Sequence, residues 1–285
     1  YQTAIIYLKK PNADDEELNL GLKLLMDAYS NGHEQAAVSF SWVMIQWFNK
    51  IDDGLDLLQQ TASKGNITAL NDLGQLYFRN EYVEKDIKKA IYYLELAADA
   101  GSINAHLSLA NLYSSGEHMP PDFEKSFKYN IMAIKLGSAQ AKFNLSLMYQ
   151  TGNGVVRNEF KAFNLLLDAA EAGVLQAQVN LGAAYANATF GTRDYSEALK
   201  WYFRAGQQND AIAQNNLGLM HYTGQGVEKN TETALMWFIL ARSNGSAEAD
   251  QNLEIIVPEV DEVTLRSANE RAIECLKSSY SNCKM

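Results

Sequence analysis

The sequence predicts an all-α protein, an α/α superhelical solenoid of antiparallel helix pairs in 36-residue repeats. Three observations carry that expectation. Gly65, Gly101, Gly137, Gly173, Asn209 and Gly245 recur at steps of 36, and Gly32 stands 33 residues ahead of Gly65. Behind each of these markers, small and apolar residues return with the period of a helix. Only 4 of the 285 residues are proline, against about 5% in average chains, which suits long helical runs.

Each repeat divides into two helices. Four residues after the markers stand Ala36, Ala69, Ala105, Ala141, Ala177, Ala213 and Ala249, and eight after stand Leu73, Leu109, Leu145, Leu181, Leu217 and Leu253. A small residue follows each of the first five leucines: Gly74, Ala110, Ser146, Gly182, Gly218. Twelve after come Tyr77, Tyr113, Tyr149, Tyr185 and then His221. Offsets of 4, 8 and 12 share one face of a helix, here called helix A. The small residues admit a close neighbour while Leu and Tyr fill the space. A second stripe follows at spacings of 3 and 4: Ala90, Tyr93 and Ala97; Ser126, Tyr129 and Ala133; Ala162, Leu165 and Ala169; Ala198, Trp201 and Ala205; Ala234, Trp237 and Ala241. This is the apolar face of a helix B. Loops such as 151–155 and 223–227 separate the two helices, and the marker residue is expected to end helix B in a left-handed cap. One pair cannot bury its stripe alone, so neighbours stack.

The ends follow the same register. Gly21, Leu24 and Ala28 before Gly32 match Ala90, Tyr93 and Ala97, so 14–31 reads as a helix B and 3–9 as the stub of its helix A. The helix after Gly245 runs to about Ile256, where Pro258 breaks it, and 261–277 reads as a polar-faced terminal helix. The expected organisation is a partial repeat over 1–31, tandem repeats over 32–256, and a capping helix with a cysteine-containing tail over 257–285. The chain opens at Tyr1 rather than Met, which leaves room for a signal peptide, an anchor or further chain upstream.

Hydrophobic residues make up 47% of the chain, and the net charge is -10. Such an acidic chain repels phosphate, so no nucleic acid and no anionic membrane surface is expected as a partner. Another protein, with a basic or neutral surface, fits better. No apolar run reaches the roughly 18 residues of a spanning helix, so direct membrane insertion is not expected. Cys275 and Cys283 stand eight apart, close enough for a small disulfide loop, and Ser278, Ser279, Ser281 and Asn282 would allow the turn. Two free thiols in a reducing compartment are the competing reading. The lack of cysteine elsewhere in an apolar chain favours the disulfide.

Catalytic constellations are missing. His33, His106, His118 and His221 fall in different repeats, and none stands at metal-ligand spacing from Cys or another His. His221 replaces the repeat's Tyr and reads as a packing residue. The Gly-x-Gly turns lack the third Gly and the Lys-Ser/Thr of phosphate-binding loops, and no Gly-x-Ser-x-Gly occurs. The acidic run Asp14-Asp15-Glu16-Glu17 sits where a helix begins and complements its dipole. Asn66, Asn144, Asn187 and Asn244 open formal glycosylation sequons, of which Asn144 falls inside a helix. The chain is therefore not expected to be an enzyme, to bind a cofactor or to hold a metal.

The run Ala213-Gln214-Asn215-Asn216-Leu217-Gly218-Leu219-Met220-His221, with Gly224-Gln225-Gly226-Val227 and Ala234-Leu235-Met236-Trp237-Phe238, resembles the Sel-1-like repeat family, relatives of the tetratricopeptide repeats. The resemblance covers roughly Gly32 to Leu253. The loops Asn80-Glu81-Tyr82-Val83, Gly116-Glu117-His118-Met119 and Asn187-Ala188-Thr189-Phe190 depart from the family's Gly-x-Gly-Val form. The resemblance implies a scaffold or adaptor, and a periplasmic or secreted bacterial location ahead of a cytoplasmic one. It also implies an alternative, an immunity protein that neutralises a secreted toxin such as a phospholipase. A cysteine-rich branch of the family pairs cysteines eight apart within each repeat. Here only Cys275 and Cys283 have that spacing, outside the repeats, so that branch is not matched.

In repeats of this type the face of helix A opposite its Ala, Leu and Tyr anchors lines a concave wall. That face corresponds to 3, 6, 10 and 13 residues after each marker. In the five copies that start at Gly65, Gly101, Gly137, Gly173 and Asn209 it holds Asn71, Gln75, Phe78, Asn104, Asn111, Gln140, Phe143, Gln150, Gln176, Asn215 and Tyr222, along with small or apolar residues and no charge. Asn and Gln can bond both the N–H and the C=O of a peptide backbone. Phe78, Phe143 and Tyr222 are the candidate anchors, and Asn71, Asn111, Gln140 and Asn215 the candidate clamps. The competing reading is a partly buried inner wall whose amides bond neighbouring helices and water.

Overall fold

Each helix A starts on a polar cap one residue past its marker. Asn66, Ser102, Ser138, Asp210 and Ser246 accept hydrogen bonds from the backbone N–H of Ala69, Ala105, Ala141, Ala213 and Ala249. Such caps satisfy one of the orphan donors of the first turn. Only Val174 breaks the series, with no side-chain cap. At the other end of the marker, Gly101 closes a helix B at φ +92°, and Ser102 N–H reaches back to Ala97 O at 2.9 Å. This is the left-handed cap the register predicts. Asn209 takes the same conformation at φ +67° where the series departs from glycine.

The structure is a computed structural model that describes residues 1–10, 14–278, 280 and 283. Among them are sixteen α-helices, one 3-10 turn and no strand. The chain divides into two units, Tyr1–Gly137 and Ser138–Met285. In the first unit the helix pairs are α1 (Gln2–Leu8) with α2 (Asp15–Ser30), α3 (Glu34–Gln46) with α4 (Ile51–Ser63), α5 (Ile67–Arg79) with α6 (Ile87–Asp99), and α7 (Ile103–Ser115) with α8 (Phe123–Lys135). In the second they are α9 (Ala139–Thr151) with α10 (Glu159–Glu171), α11 (Leu175–Asn187) with α12 (Tyr195–Gly206), and α13 (Ala211–Thr223) with α14 (Thr231–Ser243). Within each unit every pair stacks on the next, as a repeat solenoid requires. After α15 (Ala247–Ile256), Pro258 sits in a 3-10 turn, and α16 (Glu262–Lys277) packs back against α14.

The repeat residues form the core. Leu73, Leu109, Leu181 and Leu217 are fully buried, as are the paired alanines Ala69, Ala105, Ala177 and Ala213. The small residue after each leucine is where helix B crosses. A Cβ on Gly74 would lie 2.6 Å from Leu94 Cγ, and one on Gly218 2.6 Å from Phe238 Cδ1. The Tyr positions of the two helices stack in the first unit: Tyr77 on Tyr93 and Tyr113 on Tyr129, with ring centroids 5.9 and 5.8 Å apart. Helix B is locked onto helix A by a recurring bond, in which Asp86, Asp122, Asn158, Asp194 and Asn230 donate their N–H to the carbonyl of Tyr77, Tyr113, Tyr149, Tyr185 and His221. The side chains of those five residues then cap helix B.

The three atypical loops open with the same left-handed cap but lack the second left-handed residue that Gly154 and Gly226 supply two positions later in the Gly-x-Gly loops. Asn80, Gly116 and Ala188 end their helices A in the left-handed region, as Gly152 and Gly224 do. Cys275 and Cys283 are joined as a disulfide, with Cα atoms 5.0 Å apart. The tail docks through Tyr280, whose Oη accepts from Asn244 and whose carbonyl accepts from Gln207. Ser279, Ser281 and Asn282, expected to allow the turn, lie outside the described residues.

Candidate functional site

Three successive helices A of the first unit, α3, α5 and α7, present one continuous polar wall. Side chains recurring at about 3.6-residue period stay on one face of each helix, so Asn71, Gln75 and Phe78 of α5 face the same way as Asn104 and Asn111 of α7. A cleft of about 540 Å³ opens between α3, α5 and α7. Trp42, Gln46, Asn71, Asp72, Gln75, Arg79, Glu81, Tyr82, Asn104 and Ser108 line it. A second cleft of about 340 Å³ follows along α5 and α7, lined by Gln75, Phe78, Ser108, Asn111 and Glu117. Gln75 Nε2 donates to Ser108 Oγ at 2.7 Å, and this bridge forms the shared wall of the two clefts.

The first cleft is electrically uneven. Trp42 Nε1–H donates to Asp72 Oδ2 at 2.7 Å. Burial pushes the Asp72 carboxyl above the usual aspartate value, opposed by the hydrogen bonds of Trp42 and Asn71 and by the charge of Arg79. The Trp42 and Tyr82 rings meet edge to face, 6.3 Å apart. Burial, and then the neighbouring Glu81 carboxylate, raises the pKa of the Tyr82 hydroxyl. Asn71 Oδ1 is buried without a hydrogen-bond partner. In the second cleft Phe78 is half-buried between the His118 ring at 5.3 Å and the Lys85 ammonium at 5.3 Å.

The second unit treats the equivalent positions differently, which corrects part of the sequence reading. Phe143 is 7% exposed and sits in a core with Leu166, Leu181 and Trp201. It is a packing residue, not an anchor open to a partner. Asn215 is 9% exposed and accepts from Asn252 Nδ2 at 2.9 Å. Tyr222 donates to Glu259 at 3.3 Å and packs with Leu219 against Val257 and Val260. The α15 segment thus occupies the wall of α13, and neither residue is free to clamp or anchor. Gln140 donates to Asn144 Oδ1 at 3.2 Å. Gln150 lines a smaller cleft of about 190 Å³ with Leu147, Asn180 and Phe190, and Gln176 is exposed outside it.

Five expected wall residues, Asn71, Gln75, Phe78, Asn104 and Asn111, therefore come together. The sequence reading missed Trp42, Asp72, Tyr82 and Ser108. Two signals were available. Trp42 stands ten residues after Gly32, the offset of Gln75 and Asn111, in a copy left out of the wall. Asp72, Ser108 and Asn180 stand seven after their markers, a polar column beside the one counted. Among the described residues no His, Cys, Asp and Glu side chains gather as a metal site.

The Sel1 repeat family matches residues 67–102, 103–138, 139–174, 175–210 and 211–246. No curated protein matches the chain. Among solved structures, a Sel1 repeat protein from Oxalobacter formigenes is 24% identical with a TM-score of 0.72, over 98% of this chain and 85% of that one. A protective antigen of uropathogenic Escherichia coli with an SLR fold is 21% identical with a TM-score of 0.48, over 99% and 68%. The immunity protein Pa5087 from Pseudomonas aeruginosa is 16% identical with a TM-score of 0.48, over 77% and 83%. The matched repeats begin two residues after the markers, cover well over half of the chain and keep the register of the helix pairs, and on that ground the chain belongs to the Sel1 repeat family.

Proposed function

We propose that this protein is a scaffold that holds a segment of another protein along the polar wall of α3, α5 and α7, without transforming it. The observation that carries this reading is the pair of adjoining clefts bridged by Gln75 and Ser108, whose rims carry the amides of Asn104 and Asn111. Exposed amides offer both donors and acceptors to a peptide backbone. Phe78, at the edge of the second cleft, supplies an aromatic surface of the kind that carries interface energy. The excess of acidic charge over the whole chain adds steering toward a basic partner. A disulfide persists in oxidising compartments, so the Cys275–Cys283 bond favours an extracytoplasmic place of action.

Site-specific photocrosslinking in the native host tests this. A crosslinker at Asn104 or Asn111 should capture one defined partner band, and one at the exposed Lys88 or Lys128 of helices B should not. Capture of the same band from Lys88 and Lys128 alone would move the binding surface off the wall. If the captured partner is an enzyme whose activity falls on binding, the scaffold is an inhibitor and the immunity reading replaces the adaptor.

A further inference from the structure

The first cleft carries more information than a generic peptide groove. Its charged lining residues are two carboxylates, Asp72 and Glu81, and one guanidinium, Arg79, a balance of one negative charge. Among the described residues no Lys or Arg forms an ion pair with Asp72, although burial raises that carboxyl's pKa. A carboxylate held partly away from water with no cation in direct contact is destabilised, and a cation brought to it offsets that cost. Beside it, Asn71 Oδ1 is a buried acceptor with no donor. Buried acceptors left unpaired cost free energy and are uncommon in folded proteins. The aromatic pair of Trp42 and Tyr82 stands in the same cleft. Ring faces attract cations, and Trp does so best.

Resting on the reading of the wall as a protein-binding surface, we propose that the Trp42–Asp72–Tyr82 cleft is a specificity pocket for one cationic side chain of the bound protein segment, with Asp72 as counter-charge and the two rings as walls. Asp72 and the unpartnered Asn71 Oδ1 are acceptors, which match an occupant that carries only donors. A guanidinium adds a planar face to lie against the rings. Arg79, at the exposed end of α5, disfavours a second cation, so the pocket admits one.

The indole N–H of Trp42 is a direct reporter, because it bonds Asp72. The chain has four tryptophans, so their indole signals in a ¹H–¹⁵N spectrum are assigned by single Trp→Phe variants. The full chain is titrated with four acetylated, amidated Ala-X-Ala peptides in which X is Arg, Lys, citrulline or Glu. The expected result is a saturable shift of the Trp42 signal with Arg or Lys, at least tenfold weaker with citrulline, and none with Glu. The two cationic peptides separate guanidinium from ammonium selectivity. Asp72→Asn, which keeps an oxygen to accept from Trp42, should weaken the cationic peptides at least tenfold, while Lys128→Ala, exposed on α8 and off the wall, leaves the titration unchanged. Equal response to Arg and citrulline, or no response to any cation, overturns the pocket. The citrulline comparison uses the unaltered protein, so it decides the matter even if Asp72→Asn folds poorly. Crosslinking of the native partner at Asn104 separates the two readings: if it persists while the peptides show no charge preference, the wall stands and the cationic pocket falls.

Discussion

Replacing Phe143 by Ala tests whether this position packs the fold or holds a partner. The ring is buried against Leu166, Leu181 and Trp201, of which Leu181 is fully buried. Truncating a buried Phe costs about 3–5 kcal/mol, because the transfer energy of the ring is lost and the surrounding side chains collapse only partly into the cavity. With a urea dependence of about 2 kcal/mol per molar, the midpoint should fall by about 2 M. Phe143→Leu keeps most of the volume and should cost less than about 1.5 kcal/mol. Urea titration followed by tryptophan fluorescence gives the midpoint, since Trp201 shares the cluster. Hydrogen exchange adds location, with protection lost first in α9, α10 and α11. Partner capture by a crosslinker at Asn104 should survive in native buffer. A Phe143→Ala variant with an unchanged urea midpoint and a lost partner would show that the ring is a binding anchor after all, and would refute the packing argument.

Three further outcomes follow from particular residues. His221 is buried with both ring nitrogens unpartnered, and burial, then the charge of Arg271, lowers its pKa. The folded chain therefore holds it neutral while the unfolded chain protonates it near about pH 6.5, so its share of stability is complete above that pH and lost as pH falls below it. His221→Tyr, the residue of the four preceding repeats, should flatten the slope of urea midpoint against pH between 5 and 7; an unchanged slope would assign it to other groups. Reducing the Cys275–Cys283 bond should cost about 2–3 kcal/mol in the loop-entropy view and release Tyr280, read as faster exchange at the ends of α12, α14 and α16; a reduced protein with the same midpoint and protection would make the bond dispensable. Gly218→Ala places a methyl 2.6 Å from Phe238 Cδ1 and should cost about 1–3 kcal/mol by overpacking, whereas Ala at position 110 is already native; a neutral Gly218→Ala would mean that α14 can retreat freely.

The candidate site was legible only in outline. Periodicity identified the face of helix A that lines the wall, and it recovered Asn71, Gln75, Phe78, Asn104 and Asn111. It could not tell which positions of that face stay open. Phe143 has the same offset as Asn71 and Asn215, yet it lies in the core, because the space beside α9 is filled by Leu166 and Trp201 rather than left as a cleft. Tyr222 and Phe78 share an offset too, but α15 and the 3-10 turn close over Tyr222 while Phe78 keeps a cleft beside it. Asp72 escaped because its offset of seven lies outside the 3, 6, 10 and 13 that define the wall. Its role depends on Trp42, 30 residues away and in the preceding helix pair.

The local chain determined the elements and their order by itself. Small residues at marker positions, caps one residue later and apolar offsets of 4, 8 and 12 act within one or two helical turns, so each repeat carries the instructions for its own helix pair and for stacking on the next. The same holds for the left-handed ends of the helices and for the break at Pro258. The tertiary structure decided what no single repeat encodes: which stretch of the wall remains open, which carboxylate is desolvated without an ion-pair partner in contact, and where the C-terminal segment occupies a face that α5 and α7 leave open. Those properties depend on the distance between side chains of successive pairs, and sequence offsets within one helix do not contain that distance.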